Sequence, residues 1–82
     1  MYSVYAIYNL GHKKVYIGQT KNLDDRVRMH NDKIIKGYTS RFGGDWILIY
    51  SENQPSRAAA LIREKQLKSF RGREFIKKYI PA

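Results

Sequence analysis

The sequence predicts an α+β domain in which a small three-stranded antiparallel sheet is flanked by helices, in the order β-β-α-β-α-α. Two aromatic and β-branched runs near the N-terminus are joined by a short turn, which is typical of a β-hairpin. Apolar residues then recur at helical spacing, and a third strand-like run precedes a segment rich in Ala, Leu, Glu and Lys. The length of 82 residues suits one domain, so residues 1–82 are assigned to a single domain.

The first two strands are predicted from the N-terminal quarter of the chain. Tyr2–Leu10 is a run of aromatic and β-branched residues, and Lys14–Thr20 is a second run of the same kind. Asn9 and Gly11 mark a turn between them, so the two strands are expected to form an antiparallel hairpin.

The first helix is predicted by a change of period after the hairpin. Asn22 suits the N-cap position because its side chain accepts a hydrogen bond from the helix backbone. Gly37 is expected to end the helix. The residues that recur at helical spacing between these two points are Leu23, Val27, His30 and Ile34.

The rest of the chain is predicted to form a loop, a strand and two helices. The second helix is dense in strong helix formers, Arg71 and Gly72 are expected to interrupt it, and Pro81 is expected to stop the last one. The predicted bounds are 37–45 for the loop, Trp46–Ser51 for the third strand, Ser56–Phe70 for the second helix and Arg73–Ile80 for the last helix.

The charge balance predicts a polyanionic partner. Sixteen Lys and Arg face seven Asp and Glu, which gives a formal net charge of +9. An excess of this size on a small domain produces a strong positive field, and nucleic acid is the polyanion it fits best. A basic surface that only keeps the protein soluble is the simpler alternative.

The composition also excludes several classes of protein. The absence of cysteine excludes disulfides and thiolate metal sites, and two histidines are too few for a Cys/His zinc site. No apolar run approaches the roughly 20 residues that a membrane span needs. The N-terminus lacks the features of a signal peptide, so a cytoplasmic protein without a membrane partner is expected.

One carboxylate stands out on the second predicted helix. Glu64 falls on the helix surface between the apolar residues Ala60 and Leu67, so its side chain is expected to face inward or to lie at the edge of the inward face. A carboxylate there needs a partner. That partner is either a Lys or Arg in a structural ion pair, or a divalent metal ion, because hard oxygen ligands suit Mg²⁺ and Mn²⁺.

The hairpin and the first helix carry further groups capable of chemistry. Tyr16 and Gly18 share one face of the second strand, and Gly18 leaves room for a large group to approach that strand closely. Arg26 and His30 are neighbours on one helix face. Tyr5 is expected near Tyr16 across the hairpin, in a register that the sequence does not fix. Each residue alone has an ordinary structural interpretation. Together with a carboxylate, these groups are the ones needed to hydrolyse a phosphodiester.

The same residues carry a resemblance to a known family. The segment Tyr16-Ile17-Gly18 matches the second half of the GIY-YIG motif, and Ser3-Val4-Tyr5 corresponds to the first half. Arg26, His30 and Glu64 follow in the order that the family has them. From Tyr2 to about Ile80, the chain therefore resembles a GIY-YIG nuclease domain, and specifically the small single-domain GIY-YIG proteins of bacteria.

The resemblance implies metal-dependent hydrolysis of DNA on a three-stranded sheet flanked by helices. Glu64 would hold one Mg²⁺ or Mn²⁺ ion. Tyr16 would be the general base or the group that positions water, with Tyr5 supporting it. Arg26 would neutralise charge on the phosphate in the transition state, and His30 would orient a tyrosine hydroxyl or contact the phosphate.

The sequence departs from the family pattern in three ways. Ser3 replaces the glycine of the first half-motif. Gln19 stands where some repair nucleases of the family have a lysine, which removes a possible cationic group beside the site. The separate DNA-binding domain from which family members commonly gain specificity is also missing from the 82 residues.

Further basic residues are expected to track a nucleic-acid backbone, although a solvated charged face is an equal alternative for any one of them. The expected partner is duplex or branched DNA, with RNA less favoured, and the protein is expected to be a monomer or a weak homodimer. Two alternative hypotheses to the nuclease are a GIY-YIG module that binds nucleic acid without cutting it, and a basic RNA- or ribosome-associated protein. The residues expected to bind nucleic acid are Lys21, Arg63, Lys65, Lys68, Arg71, Arg73, Lys77 and Lys78.

Overall fold

The computed structural model describes residues 1–33 and 37–81, and its elements follow the predicted order β-β-α-β-α-α. The sheet is three-stranded and antiparallel, so the predicted fold class is confirmed. Within the described residues, no helix has the length and apolar character needed to cross a bilayer. The elements are β1 (Tyr2–Asn9), β2 (Lys14–Thr20), α1 (Leu23–Asn31), a 3₁₀ turn (Thr39–Arg41), β3 (Trp46–Gln54), α2 (Arg57–Leu67) and α3 (Phe70–Lys77).

The central strand of the sheet is β1, which lies between β2 and β3. Its two faces are both covered, which explains why its sequence is almost continuously apolar. The pairing with β2 sets Tyr5 opposite Gly18 and Ile7 opposite Tyr16. Tyr5 and Tyr16 are therefore diagonal neighbours on one face of the hairpin.

Alternate residues of β1 pack into two separate hydrophobic cores, one on each face of the sheet. Val4 and Ala6 pack with residues of α2 and α3, among them Leu67. Tyr5 and Ile7 pack on the other face, where Trp46 and the apolar side of α1 cover them. The sheet is thus a middle layer, and Tyr5 faces the helix that carries Arg26 and His30.

The first helix begins as predicted but ends earlier. The Asn22 side chain accepts a hydrogen bond from the backbone of Asp25, so the predicted N-cap is confirmed. The helix ends at Asn31, not near Gly37, and Lys33 adopts a left-handed backbone with φ of 59°. The side chain of Asn31 donates to the carbonyl of Trp46 and accepts from its N–H, at 2.9 and 2.6 Å. This contact with β3 holds the C-terminal end of α1 in place. The predicted helical position Ile34 lies outside the described residues.

The strand bounds agree with the prediction except at two ends. β1 ends at Asn9, one residue earlier than predicted, and β3 continues to Gln54 where Ser51 was predicted. The extension of β3 is paired, because Gln54 lies opposite Tyr2 at the start of β1.

The junction between α2 and α3 lies at Lys68 and Ser69, so the predicted interruption at Arg71 and Gly72 is wrong. Ser69 is the N-cap of α3, and its hydroxyl accepts from the backbone N–H of Gly72. A Cβ on Gly72 would lie only 2.2 Å from the carbonyl oxygen of Gln66. The glycine therefore permits close packing of α3 against the end of α2, and it lies inside a helix that runs from Phe70 to Lys77.

Candidate active site

Four of the predicted site residues lie together on the α1 face of the hairpin. The ring centroids of Tyr5 and Tyr16 are 6.3 Å apart, and that of His30 lies 5.9 Å from Tyr5 and 4.9 Å from Tyr16. Arg26 precedes His30 by one helical turn and acts electrostatically on both Tyr5 and His30. The hairpin register and the first helix together create this cluster.

A buried chain of hydrogen bonds runs through His30. Its Nε2 lies 2.8 Å from the Tyr5 hydroxyl, and its Nδ1 lies 2.8 Å from the hydroxyl of Thr39 in the 3₁₀ turn. All three side chains are almost completely buried. Of the two roles that the sequence left open for His30, the geometry favours orienting a tyrosine hydroxyl, because both ring nitrogens are occupied away from solvent.

The environment keeps the two buried rings neutral. Burial, together with the positive charges of Arg26 and Lys33, lowers the pKa of His30 to about 4. Burial also raises the pKa of Tyr5, with a further rise from Tyr16. A neutral imidazole donates through one nitrogen and accepts through the other. Of the Tyr5 and Thr39 hydroxyls, one therefore donates a hydrogen bond to His30 and the other accepts a hydrogen bond from it.

Gly18 is needed where the Tyr5 phenol crosses the edge strand. A Cβ at this position would lie 2.8 Å from the Tyr5 hydroxyl oxygen and 3.0 Å from the ring of Tyr16. The first distance is shorter than real contacts of a Cβ, and the second is tighter than most of them. The space that the sequence predicted above Gly18 is thus filled by the two tyrosines.

Arg26 presents a cation to the same cluster. Its positive charge lowers the pKa of Tyr5, which opposes the effect of burial. Among the described residues, no carboxylate lies within ion-pair distance of its guanidinium, whereas the neighbouring Arg28 pairs with Asp25 at 2.6 Å. Arg26 is half-buried and lines a shallow depression with Lys21 and Arg57. It is therefore available to an anionic ligand.

Glu64 lies on α2, in the helix layer on the other face of the sheet, and this helix packs against β1 and β2. The pKa of Tyr5 is raised mainly by burial and by Tyr16, and the negative charge of Glu64 adds to that rise. The ion-pair partner of Glu64, Lys68, lines a depression at the edge strand together with Tyr16. Glu64 thus approaches the tyrosines at the β2 edge of the sheet.

Both partners that the sequence allowed for Glu64 remain compatible with the structure. Lys68 Nζ lies 2.7 Å from its carboxylate in a helical i,i+4 pair. The carboxylate is only 20% exposed, yet no group of three or more acidic or histidine side chains forms a metal cluster among the described residues. A single carboxylate fits Mg²⁺ or Mn²⁺, because such ions are commonly held by one or two carboxylates with the remaining oxygens from water and phosphate.

The structure separates the predicted nucleic-acid contacts into groups. Arg63 takes part in an ion pair, in which its Nε donates to both oxygens of Glu52 at 3.0 and 3.1 Å and links α2 to β3. Lys21 lies beside Arg26. The residues Lys65, Arg71 and Lys78 are exposed without a common site. Those that line the depression at β2 are Lys68, Arg73 and Lys77.

Sequence reasoning missed four residues of this region. Lys13 and Lys14 line the depression at β2, and their position where the hairpin turn meets the edge strand was a usable signal. Tyr38 lines the same depression. Thr39 completes the chain of hydrogen bonds that runs through His30. The last two follow α1 in a loop, and nothing in their local sequence indicates a contact with His30 or β2.

Comparison with known proteins identifies one family. The model of the GIY-YIG catalytic domain matches residues 1–79. Neither a curated protein sequence nor a solved structure matches the chain.

Proposed function

The chain belongs to the GIY-YIG catalytic domain family, and from that premise we propose that it is a metal-dependent endonuclease that hydrolyses DNA phosphodiester bonds. One observation carries the proposal. Tyr5, Tyr16 and His30 are clustered on the α1 face of the hairpin, and Lys68, the ion-pair partner of Glu64, lines the same depression as Tyr16. This arrangement supports a site in which Arg26, one helical turn before His30, supplies a cation for the phosphate and Glu64 supplies a carboxylate for a metal ion.

Arg26 is the proposed ligand of the scissile phosphate. Its guanidinium offers a planar fork of donors that matches two phosphate oxygens. As water adds to phosphorus and the P–O3′ bond breaks, negative charge accumulates on the phosphate oxygens and the leaving group. A fixed cation stabilises that charge more than it stabilises the ground state.

Tyr16 is the proposed partner of the attacking water. Its side chain is partly exposed, and its hydroxyl has no hydrogen bond to another described residue. Tyr5 is buried, its hydroxyl is held by His30, and its pKa is raised, so it stays protonated. We therefore assign the positioning and deprotonation of water to Tyr16, and assign to Tyr5 and His30 the task of holding the tyrosine pair in place.

Glu64 is the proposed ligand of the divalent ion. A bound Mg²⁺ or Mn²⁺ would supply a Lewis acid for the phosphate and for the leaving 3′-oxygen. Lys68 Nζ contacts one carboxylate oxygen of Glu64, so an ion bound by this carboxylate competes with the ammonium for its negative charge, and an ammonium released from the pair can meet a phosphate. The pair thus keeps the half-buried carboxylate neutralised before substrate arrives.

A binding module without activity is the second candidate. The observation that favours it is the Glu64–Lys68 ion pair, because a binder also needs to neutralise a carboxylate that faces phosphate. The two candidates differ in what the carboxylate does once a divalent ion is present.

The proposal is tested by a nuclease assay on duplex, flap, branched and single-stranded DNA, with and without Mn²⁺. We expect metal-dependent cleavage by the wild type and a loss of both cleavage and affinity in Arg26→Ala, since the cation meets phosphate before and during the reaction. Arg28→Ala is the matched control, because this arginine is exposed on the same helix and pairs with Asp25. Equal effects of the two substitutions would contradict the assignment of Arg26.

A further inference from the structure

A depression of about 570 Å³ opens along the edge strand β2, beside the candidate active site. Its lining comes from the hairpin turn and β2, from the loop after α1, from the junction of α2 and α3, and from α3 with Ile80 beyond it. Tyr16 belongs both to this lining and to the tyrosine pair of the site. Lys68, the ion-pair partner of Glu64, lies in the lining as well. An occupant of the depression would therefore be next to the group undergoing hydrolysis.

The charge of the depression is entirely positive. None of its described lining residues is acidic. Lys68 forms an ion pair with Glu64 at the end of α2, and Lys77 forms one with Glu74 on α3. The others form no ion pair with a described residue. The lining cations are Lys13, Lys14, Lys68, Arg73 and Lys77.

The same lining has an apolar and aromatic part. Tyr38 is 42% exposed, and its ring is nearly parallel to that of Tyr16, with centroids 6.3 Å apart and an interplanar angle of 24°. Phe42 packs against Tyr38 from another side, at 5.2 Å, which helps to hold the exposed ring in place. The aliphatic members are Val15, Ile17, Ile76 and Ile80.

This combination fits one nucleotide better than it fits a duplex backbone. Phosphates alone are bound by cations and need no apolar floor, and the π-faces of duplex bases are covered by the neighbouring base pairs. An unpaired base, in contrast, has a free π-face that stacks on aromatic side chains while basic residues follow the backbone.

We propose that the depression receives an unpaired nucleotide of DNA next to the scissile phosphate, so that the substrate has a single-stranded segment at the point of cleavage. The proposal rests on the nuclease function above for the position of the scissile bond. Tyr38 supplies the stacking surface. Arg73 and the hairpin lysines contact the flanking phosphates.

The test measures binding in the absence of divalent ions, by fluorescence anisotropy of a short oligothymidylate and of a blunt duplex of equal length. We expect the wild type to bind the single strand more tightly. Tyr38→Ala should weaken that binding by about five- to 150-fold, the range found for removal of one base–aromatic stack, and should leave duplex binding almost unchanged. Phe70→Ala is the control, because Phe70 is an exposed aromatic residue outside the depression.

A second variant separates charge from stacking. Arg73→Ala should weaken binding of both DNA forms and reduce the slope of log affinity against log salt by about one. Circular dichroism of each variant establishes that it is folded. A loss in Tyr38→Ala that is equal for single strand and duplex, or no loss at all, would overturn the nucleotide site. Tighter binding of the matching oligoribonucleotide would overturn the assignment to DNA.

The two proposals fail in different ways. Cleavage of blunt duplex that depends on Glu64 and is undiminished in Tyr38→Ala would overturn the nucleotide site and support the nuclease. Tyr38-dependent binding of the single strand, without cleavage of any DNA in Mg²⁺ or Mn²⁺, would overturn the nuclease and support the nucleotide site.

Discussion

The hydroxyl of Tyr5 lies 2.8 Å from Nε2 of His30, and it reaches that position by crossing directly above Gly18. The bond joins the central strand to the first helix inside the core. It also explains why the second half-motif needs a glycine: the residue opposite Tyr5 must leave room for the phenol.

Gly18→Ala should disturb this arrangement. The new methyl group would lie 2.8 Å from the Tyr5 oxygen, so the phenol must move away from His30. We expect a loss of about 1–3 kcal/mol in the free energy of unfolding, typical of overpacking, measured by denaturant titration. Gly43→Ala is the control, because a Cβ there meets no heavy atom within 4 Å. Equal stability of the two variants would show that the close approach is not required.

His30 should make the protein less stable in mild acid. Its pKa is about 4 in the folded protein and about 6.5 when unfolded. The unfolded state therefore binds more protons between these values, and stability falls as pH decreases from about 6.5 towards 4, by up to roughly 3 kcal/mol. Denaturant titrations across this range should show that loss in the wild type and a smaller one in His30→Gln. Parallel pH profiles would contradict the buried neutral imidazole.

The Lys68–Glu64 pair should compete with a divalent ion. Lys68→Met removes the ammonium while retaining a long side chain, so we expect Mn²⁺ to bind up to about five-fold more tightly, which corresponds to the upper value for such pairs. Electron paramagnetic resonance of free Mn²⁺ measures this directly. Lys77→Met is the control, since Lys77 pairs with Glu74 on α3. Unchanged or weaker Mn²⁺ binding in Lys68→Met would place the metal away from Glu64.

The Tyr16 hydroxyl should matter for turnover and little for structure. Tyr16→Phe retains the ring that packs against His30, so DNA affinity and stability should change little. General acid–base groups contribute about 10²–10⁴-fold, and single-turnover cleavage should fall by that factor. Tyr79→Phe, at an exposed position on another part of the chain, is the control. A Tyr16→Phe variant that cuts at the wild-type rate would assign the water to another group.

The sequence predicted most accurately what local patterns determine. The bounds of β2 and the cap at Asn22 follow from alternation and from side-chain chemistry within a few residues. The end of α1 does not follow from a local pattern, because it depends on a contact between Asn31 and Trp46, which belong to separate elements. The ion pair of Arg63 does not follow from a local pattern either, because its partner Glu52 lies on β3.

In the candidate site too, positions within one element were predictable and contacts between elements were not. Arg26 and His30 were paired correctly because helical spacing places them together, and the family motif indicated which tyrosines to consider. Thr39 was missed because it meets His30 only through the path of a loop. The pairing of Glu64 with Lys68 was available from i,i+4 spacing, whereas the position of Glu64 relative to the tyrosines depends on how α2 packs on the sheet.

The most direct measurement of the central claim is the rate of DNA cleavage in Mn²⁺ by the wild type, Glu64→Ala and Glu74→Ala, together with the affinity of each for DNA in the absence of metal. If Glu64 holds the catalytic ion, Glu64→Ala abolishes cleavage while DNA binding stays the same or becomes slightly tighter, because a carboxylate without metal repels phosphate. Glu74→Ala, which removes an exposed carboxylate on α3, leaves cleavage intact. Undiminished cleavage by Glu64→Ala, or no cleavage by the wild type with any divalent ion, would contradict the proposed function.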